Sequence, residues 1–262
     1  MNLSVSNIAW QAEDDETVYS LMRAYGFCGL EIAPTRIFPE GPYDRLAEAR
    51  VWAAGLKDKN GFTVPSMQSI WYGRNEKIFG GDKDRGALLS YTKKAIDFAA
   101  AVGCKNLVFG CPRNRNLPEN ADGEIAIAFF RELGDYAAAK GTAIGMEANP
   151  PIYNTNYIND TASALELIEK VGSDGFKLNL DIGTIIENGE SLSTLEGKAA
   201  LINHVHISEP GLKPIKKRVL HKELLGFLEE NGYDGFVSLE MGRGDDLSAL
   251  EKSLEYIAGI FG

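Results

Sequence analysis

Short apolar runs alternate with amphipathic segments along the whole chain. The repeating unit is an amphipathic segment, a turn that contains glycine, and then an apolar run. Eight such runs lie at 3–10, 24–33, 60–71, 102–111, 140–149, 171–183, 202–208 and 231–242. Most of them are continuously apolar rather than alternating, which is typical of parallel strands that are buried on both faces. The pattern therefore predicts eight parallel strands.

The segments between the runs have helical periodicity. Between 88 and 102, apolar residues recur along one stripe while lysines and an aspartate occupy the opposite face. Asp160 is a candidate N-cap for a helix that ends at Gly172. This alternation predicts the α/β class and a single (β/α)8 TIM barrel. An open doubly wound sheet is the alternative, but no GxGxxG motif follows the first run. Since no linker or low-complexity stretch divides the chain, we expect residues 1–262 to form one TIM-barrel domain.

Charge and cysteine content narrow the classes of partner. The chain has 27 Lys and Arg residues against 37 Asp and Glu residues, so its net charge is −10. An acidic surface argues against nucleic acid and against an anionic membrane as partners. The 3 cysteines form no CxxC pair, which favours reduced thiols and a cytoplasmic location. No apolar stretch reaches about 18 residues, and the first residues do not match a signal peptide.

Polar residues end several of the predicted strands, where the active sites of parallel barrels form. Glu147, Asp181, His206 and Glu240 lie on the last four strands, so consecutive units can bring them together. Three carboxylates in one cavity repel one another unless a cation joins them. Carboxylate oxygens with one imidazole form a ligand set for one divalent ion. Mn²⁺ or Mg²⁺ is the favoured prediction, and Zn²⁺ or Co²⁺ is also compatible with these ligands. Each acid could alternatively be a helix N-cap or a loop ion-pair partner.

Two histidines alternate on the seventh run and share a face. His206 lies nearer the end of the run and is the preferred ligand, whereas His204 suits a packed or hydrogen-bonding role. Arg113 and Arg115 follow the fourth run and could bind a phosphate or a carboxylate, or be solvated loop charges. An aromatic wall with a few polar groups suits a sugar. The candidate substrate-binding residues are Trp10, Gln68, Arg113, Asn149, Glu209 and Lys213.

Five segments carry a resemblance to a known family: GLEIAP (29–34), GMEANP (145–150), LNLDIGT (178–184), HVHISEP (204–210) and GYDGFVSLEM (232–241). The chain resembles the sugar phosphate isomerase/epimerase branch of the xylose-isomerase-like barrels. The resemblance implies a divalent metal held by Glu147, Asp181, His206 and Glu240. It also implies that the two glutamates act as acid and base, moving a proton through a metal-stabilised enediolate. Relatives are frequently dimers or tetramers, so a homo-oligomer is expected.

The sequence departs from the ketose 3-epimerases of that superfamily at three places. Thr184 stands where they carry a histidine, the segment after Glu147 lacks their arginine and second glutamate, and Leu212-Lys213 replaces a later arginine. We therefore expect an isomerase or epimerase of a sugar, sugar phosphate or related polyol, without naming the substrate. The alternative is a dehydratase of a keto-polyol such as an inosose. A DNA-repair phosphodiesterase is disfavoured by 3 histidines and the acidic charge, and a non-catalytic sugar-binding barrel by the clustered acids.

Overall fold

Eight parallel strands form one sheet in the order β2-β1-β8-β7-β6-β5-β4-β3. The computed structural model describes residues 1–262. The strands are β1 (Asn2–Ser6), β2 (Gly29–Glu31), β3 (Ser66–Met67), β4 (Asn106–Phe109), β5 (Ala143–Met146), β6 (Phe176–Asp181), β7 (Ile202–Ile207) and β8 (Phe236–Leu239). Two parallel bridges, Gly29 to Thr63 and Ile32 to Met67, join β2 to the neighbourhood of β3 and close the sheet into a nearly complete barrel. Each strand overlaps one of the eight apolar runs, so the predicted TIM barrel is confirmed.

Nine α-helices connect the strands and cover the barrel. They are α1 (Asp15–Ala24), α2 (Pro34–Ile37), α3 (Leu46–Asn60), α4 (Asp82–Val102), α5 (Glu124–Ala139), α6 (Thr161–Val171), α7 (Ile182–Asn188), α8 (Val219–Glu230) and α9 (Ser248–Phe261). The apolar stripe between 88 and 102 is the buried face of α4. Asp160 caps α6 by accepting a hydrogen bond from the Ser163 amide, and Gly172 ends the helix with a φ of +62°. None of these helices has both the length and the apolar character needed to cross a membrane.

The barrel interior is partly polar, and its hydrogen bonds position side chains at the carboxyl ends of the strands. Asn106 on β4 donates hydrogen bonds from Nδ2 to Ser66 Oγ (3.0 Å) and to Asn179 Oδ1 on β6 (3.1 Å). Gly145 on β5 lies between them, and a Cβ at that position would stand 2.4 Å from Asn106 Oδ1. Glycine therefore lets the two asparagines meet across β5. Because Asn179 accepts through Oδ1, its Nδ2 is free to donate toward the carboxyl ends of the strands.

Candidate metal centre and active site

The carboxyl ends of β5, β7 and β8 bring three of the predicted ligands together. His206 Nδ1 lies 3.1 Å from Glu147 Oε1 and 3.3 Å from Glu240 Oε2. One ligand atom from each of these three residues lies within 4.8 Å of the other two. Glu147 and Glu240 also line a cavity of about 750 Å³ that opens at this end of the barrel. The parallel strand ends thus converge as the sequence predicts.

The donor atoms of this cluster fit a divalent cation. His206 Nδ1 is fully buried and has no hydrogen-bond partner, although two carboxylate oxygens stand close to it. A buried polar nitrogen without a partner is costly, and a cation between it and the carboxylates removes that cost. Two carboxylates and one imidazole are ligands that Mn²⁺, Mg²⁺ and Zn²⁺ all accept. The residues present therefore fit the metal that the sequence predicts.

Asp181 lines the same cavity but lies outside the three-residue cluster. Its Oδ2 accepts hydrogen bonds from the amide and hydroxyl of Thr184, both at 2.9 Å, and its Oδ1 accepts one from the Gly183 amide at 3.2 Å. Asp181 is thus the N-cap of α7, the role that a strand-end acid can take instead of ligation. Burial, followed by the negative charges of Glu147 and Glu240, raises the pKa of Asp181 to about 7. Its membership of the ligand set stays a prediction.

Side-chain amides fix the two glutamates from below and beside the cluster. Asn179 Nδ2 donates to Glu147 Oε1 (2.9 Å), and Asn149 Nδ2 donates to Glu147 Oε2 (3.1 Å). Gln68 Nε2 donates to Glu240 Oε1 at 2.9 Å. Burial raises the pKa of Glu240, even though the neighbouring His206 lowers it. Glu147 is therefore held at both oxygens, whereas Glu240 is held at one.

Arg115 is a structural residue and not the anion-binding group that its position after β4 suggested. Its side chain is 0% exposed, because the guanidinium is folded under the β5 loop. It donates to Glu147 O (2.8 Å), Asn149 Oδ1 (3.0 Å) and Ile158 O (3.1 Å). Burial lowers the pKa of Arg115 to about 10. By engaging Asn149 Oδ1, this arginine turns the Asn149 amide nitrogen toward Glu147.

Glu31 at the end of β2 contacts His206 from the side opposite the two glutamates. Its Oε2 lies 2.8 Å from His206 Nε2 and 3.4 Å from His204 Nε2. Burial opposes charge on all three groups, but the attraction between them dominates at two. The pKa of Glu31 lies well below its usual range, and that of His206 lies well above. Burial lowers the pKa of His204. Glu31 lies within the GLEIAP segment (29–34), and the sequence predicts no role for it.

The predicted substrate-binding residues divide into two groups. Gln68, Arg113 and Asn149 line the cavity, together with Trp71, Tyr153, Ser208 and Leu212. Trp10, Glu209 and Lys213 are not among its lining residues. Trp10 is buried and donates from Nε1 to Asp15 Oδ1 (2.7 Å), and Glu209 accepts from Arg218 Nε (2.7 Å). Lys213 is exposed. A substrate role for any of the six stays a prediction.

Tyr153 is a cavity residue that the sequence reading missed. It follows β5 in a short helical turn, and its hydroxyl accepts a hydrogen bond from the Gly211 amide (3.0 Å) in the loop after β7. The only local signal was its place six residues after Glu147. The contact with Gly211, which fixes the ring beside the cavity, depends on the tertiary structure.

Comparison with known proteins agrees with this architecture. A family model described as xylose isomerase-like TIM barrel matches residues 19–260. The 3-keto-D-glucoside 4-epimerase of E. coli superposes with a TM-score of 0.78 at 21% identity, covering 99% of each chain. The D-psicose 3-epimerase of Clostridium cellulolyticum H10, solved with D-tagatose, superposes with a TM-score of 0.78 at 18% identity, covering 100% of this chain and 99% of that one. At these identities the likeness shows the fold.

One curated relative is similar in sequence. It is a Streptomyces coelicolor protein provisionally named as a hydroxypyruvate isomerase, and it is 30% identical over 165 residues. The matched region covers 59% of this chain and 59% of that protein.

Proposed function

This chain belongs to the xylose isomerase-like TIM barrel family, and we propose that it is a divalent-metal-dependent isomerase or epimerase. Its substrate class is a small sugar, sugar phosphate or related polyol. The observation that carries the proposal is the meeting of Glu147, His206 and Glu240 within 4.8 Å of one another, beside a cavity of about 750 Å³. That volume lies in the range of small-molecule sites.

Glu147, His206 and Glu240 would hold the cation, with Asp181 as the fourth predicted ligand. A divalent cation supplies Lewis-acid polarisation of a substrate carbonyl and its neighbouring hydroxyl. The two glutamates come from β5 and β8 and stand on either side of His206 Nδ1. A substrate carbon placed between them can lose a proton to one carboxylate and receive a proton from the other. That exchange inverts a stereocentre or moves a carbonyl by one carbon.

The neighbouring amides restrict how these carboxylates act. Asn149 and Asn179 bind both oxygens of Glu147, which fixes the plane of its carboxylate. Gln68 binds only Oε1 of Glu240 and leaves Oε2 directed toward the cluster. Burial raises the pKa of Glu240, and a cation held by this carboxylate would lower it again. Trp71 and Leu212 are among the apolar residues of the cavity wall.

The decisive experiment is a substrate screen in deuterated water with Mn²⁺ present. Ketoses, aldoses, inososes and their phosphates are incubated with the protein, and NMR follows deuterium entering a carbon position. We expect incorporation with no change in elemental composition for one class, and loss of it after chelation. A product lighter by one water supports the dehydratase instead. Deuterium incorporation that persists without metal contradicts the proposed metal dependence.

Matched variants test the two glutamates separately. Glu147→Gln and Glu240→Gln each remove one acid/base group, so we expect turnover to fall by about 10²–10⁴-fold. Glu190→Gln is the control, because Glu190 accepts hydrogen bonds from the Thr161 amide and Asn188 outside the cavity. If either site variant retains the wild-type turnover, the two-carboxylate mechanism is wrong.

A further inference from the structure

Glu31 reaches His206 from the far side of the barrel. Glu31 ends β2 and His206 lies on β7, and two strands, β1 and β8, separate them in the sheet. Both side chains are 0% exposed. Their contact, Oε2 to Nε2 at 2.8 Å, therefore crosses the interior of the barrel rather than its surface. No local feature of the sequence requires it.

The surroundings of Glu31 make His206 its principal donor. An ionised carboxylate without access to water needs hydrogen-bond donors. Gln68 Nε2 lies 3.2 Å from Oε1, but the same nitrogen makes shorter contacts with Ser6 Oγ (2.7 Å) and Glu240 Oε1 (2.9 Å). His204 Nε2 is 3.4 Å away and closer to Ser238 Oγ, at 2.9 Å. The 2.8 Å contact with His206 is the shortest that Glu31 makes.

The second ring nitrogen of His206 is left for another partner. Nδ1 has no hydrogen bond and faces Glu147 and Glu240 at 3.1 and 3.3 Å. A histidine binds a cation as the neutral imidazole, which carries a proton on one nitrogen and a lone pair on the other. When the proton is on Nε2, this nitrogen donates a hydrogen bond to Glu31 Oε2, and the lone pair on Nδ1 points toward the two glutamates.

We propose that Glu31 is a positioning residue that keeps the His206 proton on Nε2 and presents Nδ1 to the cation. This inference rests on the metal centre of the proposed function. Glu31, His204 and His206 could themselves be read as a second metal site, since their ligand atoms also lie within 4.8 Å of one another. That site is disfavoured because Glu31 and His204 do not line the cavity and the 2.8 Å hydrogen bond already engages Glu31 Oε2 and His206 Nε2. Carboxylates that orient a ligating histidine typically change metal affinity by about 10–100-fold.

Metal titration tests the effect on affinity. Zn²⁺ is titrated into the metal-free full chain, with Glu31→Gln as the conservative variant and Glu31→Leu as the variant that removes the acceptor. We expect the Kd for Zn²⁺ to rise by about 10–100-fold in Glu31→Gln and further in Glu31→Leu. Glu190→Gln, the control outside the cavity, keeps the wild-type Kd. If Glu31→Leu does not fold, Glu31→Gln decides, because glutamine preserves the shape of the side chain. A wild-type Kd in folded Glu31→Gln overturns the inference.

The tautomer is read directly by ¹⁵N NMR of the Zn²⁺-loaded protein. The chain contains only 3 histidines, so their ring nitrogens can be assigned individually. We expect His206 to show a zinc-shifted Nδ1 and a protonated Nε2 that exchanges slowly with water, and we expect faster exchange in Glu31→Gln. If zinc binds Nε2 instead, the positioning role of Glu31 is wrong, but the proposed metal-dependent function is not contradicted. A wild-type chain that binds no Zn²⁺ refutes the metal centre itself.

Discussion

Replacing Arg115 by methionine is the sharpest test of how the site is supported. Methionine has a similar length and can fill the buried space, but it cannot donate a hydrogen bond. Three acceptors would lose their donor, namely Glu147 O, Asn149 Oδ1 and Ile158 O. All three belong to residues 147–158, the segment that carries Glu147, one of the two proposed acid/base groups. The variant therefore removes the hydrogen bonds that hold the β5 loop while it keeps the buried volume filled.

The expected loss of stability follows from these bonds. A hydrogen bond from a charged donor contributes about 1.5–3 kcal/mol, so three contribute about 4–9 kcal/mol. The variant no longer buries a guanidinium, which returns several kcal/mol of desolvation. We expect a net destabilisation of about 3 kcal/mol, which lowers Tm by about 6–12 °C in a chain of this size. Arg115→Lys keeps the positive charge but lacks the planar guanidinium, so its Tm is expected to lie between those of the wild type and Arg115→Met.

Thermal unfolding followed by circular dichroism measures this effect, and Arg113 supplies the control two residues away. Arg113 is exposed, and its side chain forms no hydrogen bond or ion pair within the chain. Arg113→Met is therefore expected to change stability by no more than about 0.5 kcal/mol. If the two methionine variants unfold at the same temperature, the reasoning about Arg115 is refuted. A second readout is turnover, which we expect to fall in Arg115→Met because the Asn149 amide is free to rotate away from Glu147.

Three further predictions concern backbone space, pH and metal. Gly175→Ala should destabilise by about 1–3 kcal/mol, because its Cβ would lie 2.1 Å from a backbone oxygen of α5. Gly226→Ala in α8, where a Cβ meets nothing within 4 Å, should stabilise by about 1 kcal/mol; equal urea midpoints for the two variants contradict this. Burial lowers the pKa of His221 to about 4 in the folded chain, whereas the pKa of an unperturbed histidine is about 6.5. The folded chain therefore favours neutral His221. The free energy of unfolding is expected to be highest above about pH 6.5 and to fall by up to about 3 kcal/mol as the pH drops toward 4. Urea midpoints at pH 7 and 4.5 check it, and an unchanged pH dependence in His221→Gln would show another group is responsible. Mn²⁺ at about 1,000 times its Kd should add about 4 kcal/mol of stability; scanning fluorimetry with and without chelator measures the shift, which should be absent in Glu147→Ala.

Much of the fold could be predicted from the sequence because its determinants are local. A strand buried on both faces must be apolar along its length, and a covering helix must repeat its apolar residues every three or four positions. The eight runs, the buried stripe of α4 and the Asp160 cap express these requirements within a few consecutive residues. In a parallel barrel the strand ends share one rim. Residue order alone therefore predicted that Glu147, Asp181, His206 and Glu240 would meet, and the structure brings three of them, Glu147, His206 and Glu240, within 4.8 Å of one another.

The partner of each polar side chain was decided only by the closed barrel. Glu31 contacts His206 because closure of the barrel places β2 across the interior from β7. The separation of the two residues along the sequence does not predict this contact. Arg115 follows β4, where an arginine could bind an anion, yet the β5 loop folds over it and accepts hydrogen bonds from its two terminal nitrogens. Asp181 satisfies a helix end, a role that competes with ligation for the same oxygens. Apolar burial is set by periodicity along the chain, whereas a hydrogen bond or a metal ligand requires two or three atoms placed to within a fraction of an ångström, and only the packed structure fixes them.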